Sequence, residues 1–203
     1  TTGSQGAHYP DAMGRPRWTE PIPLRRVEAR ADHDLPATQW PLTVPPVRQL
    51  MEHGLDLGRA TILVGENGSG KSTLVEAIAM AYGMAPEGGS TGAMTTTFAS
   101  ESPLYEALQL VRGAGASRWG YFFRAETMHN LFSYLAANPR ADRPVGYSAY
   151  HDRRHGESFH ALLADRAARF DGGLFVFDEP ESGLSFSAQL QLLGQLSELA
   201  GHR

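Results

Sequence analysis

Residues Gly65-Glu66-Asn67-Gly68-Ser69-Gly70-Lys71-Ser72 fit the spacing G-x-x-x-x-G-K-[ST]. The residue types explain what such a run does. Three glycines let backbone N–H groups approach an anion closely, a helix N-terminus behind them adds partial positive charge, and Lys71 adds a full one. A loop of this kind cradles the phosphates of a nucleotide. The hydroxyl of Ser72 suits Mg²⁺, which takes oxygen ligands and keeps several waters. Lys71 is the only lysine among 18 Lys and Arg residues, so its place in the pattern owes nothing to lysine abundance. The competing explanation is a glycine-rich turn that matches by chance, and the flanks argue against it. Ala60-Thr61-Ile62-Leu63-Val64 reads as a buried parallel strand, and Thr73 to Tyr82 reads as a helix with Leu74, Ile78 and Ala81 on one face and Gly83 as its stop.

A second stretch, Gly173-Leu174-Phe175-Val176-Phe177-Asp178-Glu179-Pro180, sets four large apolar residues before two acids. That is the pattern of a central parallel strand delivering carboxylates at its carboxyl end, where ligands bind in open α/β sheets. Asp178 suits Mg²⁺, held through water, and Glu179 suits the orientation and polarisation of a water attacking the γ-phosphate. Two acids before a Pro turn are common on their own; the phosphate-binding spacing upstream makes the functional reading the stronger one.

The elements that must position these groups follow from periodicity. Residues 1 to 24 are rich in Gly, Pro and Thr and read as a loosely draped arm before a domain over 25–203. Arg25 to Arg30 reads as an edge strand, and Val47 to His53 as a short helix stopped by Gly54. Ser102 and Pro103 open a helix carrying Leu104, Ala107, Leu108 and Val111 as one stripe. Arg118 to Phe123 reads as a second buried strand, Thr127 to Asn138 as a helix, and His155 onward as a helix with Phe159, Leu162, Leu163, Arg166 and Phe170 at helical spacing. Ser187 to Leu199 reads as an amphipathic helix. Trp18 and Trp40 are aromatic enough to stack on a base, although a core or edge role is commoner for such residues.

Composition narrows the class. The 203-residue chain is 41% hydrophobic with a formal net charge of −4 and no cysteine. It is long enough for one sizeable core, has no disulfide or thiolate metal site, and has no overall electrostatic drive toward nucleic acid. No apolar run approaches the roughly 18 to 20 residues needed to span a bilayer, and no secretory pattern opens the chain. The expected location is cytoplasmic.

On the two motifs, the chain resembles the ATP-binding-cassette class of P-loop ATPases, and within it the stand-alone ATPases related to recombination and chromosome-maintenance ATPases. The narrower likeness rests on Gly65 to Ser72 with Thr73, on Phe122-Phe123-Arg124-Ala125-Glu126, and on His155-Gly156-Glu157-Ser158-Phe159. The resemblance implies ATP and Mg²⁺ as cofactors and an ATP-dependent homodimer. In that dimer the segment Arg154, His155, Gly156, Glu157 and Ser158 of one copy meets the γ-phosphate bound by the other. Arg154 falls where the class has a serine, so either Ser158 supplies the hydroxyl or Arg154 acts as a cation toward phosphate. Where the class has a glutamine that touches Mg²⁺, Arg124 and Glu126 are the polar candidates. Arginine cannot ligate a metal, which leaves Glu126 for that role.

The resemblance also implies a further strand and a histidine after the last helix, so the chain ending at Arg203 is expected to be a shortened version. The expected fold is α/β, a P-loop domain with a mainly parallel central sheet, an N-terminal antiparallel β element and a small helical insertion over about 84–170. The expected function is Mg-dependent ATP binding and hydrolysis coupled to dimerisation. Its alternatives are a nucleotide-gated interaction or regulatory switch with little turnover and, less well supported, a transporter subunit. A nucleic-acid or protein partner is compatible with the sequence; a membrane partner is not. No Asn-Lys-x-Asp guanine-specificity motif occurs.

Overall fold

A computed structural model describes residues 22–92, 102–125, 155–169, 172–182 and 184–201. In chain order the elements are β1 (Arg26–Ala29), α1 (Pro45–His53), β2 (Leu55–Asp56), α2 (Lys71–Tyr82), β3 (Gly89–Ser90), a 3₁₀ turn (Pro103–Ala107), β4 (Leu108–Val111), β5 (Gly120–Arg124), α3 (His155–Arg169), β6 (Leu174–Asp178) and α4 (Phe186–Gly201). They build two small sheets, β2-β1-β4 and β3-β5-β6.

The parallel pair β5–β6 is the frame of the site. Its apolar runs are continuous because both faces are covered. Phe122 joins one core with Leu74, Ala77, Ile78 and Tyr82 of α2, and Leu174 and Val176 pack against it. Tyr121 and Phe123 join the other with Phe159, Leu162, Leu163 and Leu192 of α3 and α4, and Phe175 and Phe177 pack there. Phe123 stacks on Phe177 with ring centroids 5.0 Å apart. A helix on each face thus holds the strand ends in a fixed register. Phe122→Ala is expected to cost about 3–5 kcal/mol by opening a cavity at a position with 0% exposure. A urea midpoint unchanged by the substitution would rule that packing out.

Several sequence expectations need correcting. The expected mainly parallel sheet is seen only in part: among the described residues β5–β6 is parallel, and β1–β2, β1–β4 and β3–β5 are antiparallel. The N-terminal antiparallel element is present, but β1 lies between β2 and β4 and is no edge strand. The helix expected from Ser102 to Val111 is a single 3₁₀ turn followed by β4. Ser102 caps it as expected, accepting from the Leu104 N–H at 3.3 Å. Leu108 to Val111 then finds a backbone partner in β1 and extends.

Ala60–Val64 forms no strand. Leu63 packs against the core while Ile62 and Val64 are 82% and 90% exposed. The segment is extended chain with one face on the core and no ladder partner among the described residues. The span 84–170, expected to be a helical insertion, carries in its described part β3, the 3₁₀ turn, β4, β5 and α3. The calls on 1–21, on the helix over 127–138 and on Trp18, Glu126 and Arg154 lie outside the described residues.

Candidate nucleotide and magnesium site

The loop 65–70 leads into α2, whose N-cap Gly70 has φ +97°. That left-handed value favours glycine, and a Cβ there would also collide with Val44 Cγ1. Gly68 is likewise left-handed, at φ +77°. The turn closes through the Ser69 N–H to Glu66 C=O bond at 3.2 Å, and helical bonding begins with the Leu74 N–H to Gly70 C=O at 3.1 Å. Gly65, Glu66, Asn67 and Gly68 are exposed, so their backbone is open to a ligand. Lys71 Nζ folds back over the loop and donates to Gly65 O and Glu66 O, each at 2.8 Å. An ammonium has three donors, so one remains for an anion.

Ser72 sits in the first turn of α2 and donates its hydroxyl to Asp178 Oδ1 at 2.9 Å. Two residues far apart in sequence, each assigned to magnesium from its motif, are therefore in direct contact. Asp178 ends β6 and is 8% exposed. Glu179 follows it in the left-handed region at φ +47°, exposed to solvent. A non-glycine residue in that conformation is uncommon, and such residues cluster at functional sites. The Ser182 N–H bond to Glu179 O at 2.9 Å closes the turn that follows.

Whether Arg124 meets Glu126 lies outside the described residues. Arg124 Nη1 donates to Glu76 Oε2 at 2.6 Å and to Pro86 O at 3.0 Å. Glu76 is the residue that sequence reasoning missed. The signal was its i+4 spacing from Ser72, which puts both side chains on one face of α2. Of His155, Gly156, Glu157 and Ser158 the structure describes the backbone, the first turn of α3. Trp40 is 56% exposed, so it is no core residue.

A family model described as AAA domain matches residues 53–109, which include the whole run Gly65 to Ser72. The chain is also 30% identical over 166 residues to the ribose import ATP-binding protein RbsA of Roseobacter denitrificans. Together the two matches support an ABC/AAA-type P-loop ATPase. The alignment covers 70% of this chain and 32% of that relative, so the chain spans about a third of the length of the curated relative it matches. No solved structure matches this chain. Among its described residues, no helix is long and apolar enough to cross a membrane.

Proposed function

We propose that the chain binds ATP with Mg²⁺ on the loop Gly65 to Thr73 and hydrolyses it, with Glu179 as the residue that orients and polarises water. The observation that carries this reading is the Ser72–Asp178 contact beside a loop whose lysine keeps a donor for phosphate. A hydroxyl and a carboxylate oxygen side by side are hard donors of the kind Mg²⁺ takes, and neither demands a softer metal. Magnesium when bound offsets phosphate charge. The residues do the rest: backbone N–H groups and Lys71 hold the anion, Asp178 keeps the Ser72 hydroxyl in place, and Glu179 stands where its carboxylate reaches solvent.

Nucleotide-driven pairing of two copies through the Arg154 to Ser158 segment completes the proposal. It rests on His155 to Ser158 forming the first turn of α3, since a helix N-terminus favours anions. We place the chain nearer the stand-alone ATPases related to recombination and chromosome maintenance than transporter subunits, because Arg124 stands where a glutamine is usual in the latter. The printed name of the ribose-import relative supports the ATP-binding part of this reading.

A nucleotide-gated switch with little turnover is favoured by one observation, the guanidinium of Arg124 facing Asp178 at 3.8 Å, a feature that competes with metal. Calorimetric titration of the chain with ATP and Mg²⁺, paired with phosphate release, separates the readings. Binding with turnover supports hydrolysis; binding without it supports the switch. No heat up to about 1 mM nucleotide, equivalent to about −4 kcal/mol, would sink both.

A further inference from the structure

Four side chains close a ring at the carboxyl end of β6. Ser72 and Glu76 share a face of α2, while Arg124 and Asp178 are lateral partners across the parallel ladder. Ser72 Oγ bonds Asp178 Oδ1 at 2.9 Å, Glu76 Oε2 receives Arg124 Nη1 at 2.6 Å, and Arg124 Nε stands 3.8 Å from Asp178 Oδ2. The side chains of Arg124, Glu76 and Asp178 are 21%, 17% and 10% exposed, so solvent ions screen their charges less than those of surface groups. Among the described residues two acids thus face one guanidinium, whose Nη1 also donates to Pro86 O at 3.0 Å.

Resting on the proposed magnesium site, we infer that Arg124 is a positioning residue whose guanidinium is the standing counter-charge of Asp178 and sets how strongly nucleotide binding depends on magnesium. Arginine stays protonated and has no lone pair for a metal. It therefore opposes a cation at Asp178 by charge alone, without sharing a coordination position. Glu76 moderates that opposition by neutralising and anchoring the same guanidinium on the α2 side. The strength of magnesium coupling is then fixed by the balance of Arg124 against Glu76, two residues outside both sequence motifs.

The balance predicts opposite signs for two substitutions of similar size. The quantity to measure is the ratio of ATP dissociation constants in EDTA and in saturating Mg²⁺, read from a fluorescent ATP analogue on the full chain. Arg124→Gln removes the competing charge and is expected to raise that ratio about tenfold, a size set by Coulomb energies at a few ångströms and intermediate dielectric. Glu76→Gln removes one negative charge that offsets Arg124 and is expected to lower the ratio by a similar factor. Arg124→Lys keeps the charge and should stay near the parent value.

A purely structural tie predicts instead that Arg124→Gln and Glu76→Gln weaken binding alike in both media, leaving the ratio unchanged; that outcome overturns the inference. If Arg124→Gln proves unfolded by circular dichroism, Glu76→Gln decides alone, and a ratio that is unchanged or raised overturns the inference. Failure of the unsubstituted chain to bind the analogue in either medium is a different result, which removes the nucleotide site itself and this inference with it.

Discussion

Glu179→Gln is expected to slow ATP hydrolysis by about 10²- to 10⁴-fold while leaving ATP bound. The amide keeps the size and hydrogen-bonding reach of the carboxylate and loses the charge that polarises water. Asp178, one residue earlier, is buried against Ser72 and is untouched by the change. Glu179 is exposed and held at φ +47° by the turn that follows β6, so no core contact is removed. Single-turnover phosphate release measures the loss. With turnover blocked, two copies should stay paired in ATP and Mg²⁺ and separate without them, as seen by sedimentation. Adding Gly156→Trp at the start of α3 should abolish that pair while ATP still binds. A Glu179→Gln protein that hydrolyses at the parent rate would remove Glu179 from the chemistry, and one that stays monomeric at saturating ATP would remove the paired arrangement.

Lys71→Ala is expected to weaken ATP binding by about 2–4 kcal/mol, on the order of 30- to 1,000-fold in Kd. The side chain bridges two carbonyls of its own loop, at 2.8 Å each, so its removal takes away both a cation toward phosphate and a tie that shapes the loop. Both losses act in the same direction on affinity. Neither touches the apolar core, since the contacts of Lys71 are loop backbone. Calorimetry with ATP, on protein whose circular dichroism matches the parent, provides the measurement. Equal affinity in parent and variant would take the anion-binding role from this residue.

The contrast between these motifs and the rest of the chain shows where sequence reasoning has purchase. β5, β6 and α2 were readable because a strand covered on both faces must be apolar throughout, and a helix on one of those faces must repeat Leu74, Ile78 and Ala81 at its own period. Spacing also named Ser72 and Asp178 together as candidate ligands of one ion, and the structure puts their side chains in contact. The same rule misread Ala60–Val64, since an apolar β-branched run becomes a strand only when another backbone supplies the ladder.

Residues 102–111 failed for a different reason. Leu104, Ala107, Leu108 and Val111 satisfy a helical period, yet Leu108 and Leu110 also alternate against Gln109 and Val111. The backbone of β1, remote in sequence, decides between the two patterns. Glu76 was hidden because a lone acid on a helix is ordinarily a solvated face. Only the lateral pairing of Arg124 with Asp178 gives it a partner.

The bare extended run before the phosphate-binding loop also bears on how the protein fails. Thr61 to Val64 joins high β propensity to zero formal charge, with Ile62 and Val64 turned to solvent, which is the composition of a segment that seeds stacked fibrils between molecules. Arg59 and Glu66 flank it as charged gatekeepers. Fibril growth from this window is the failure expected on concentration or heating, and the same four residues that lead the chain into the loop at Gly65 then become the point from which copies of it polymerise.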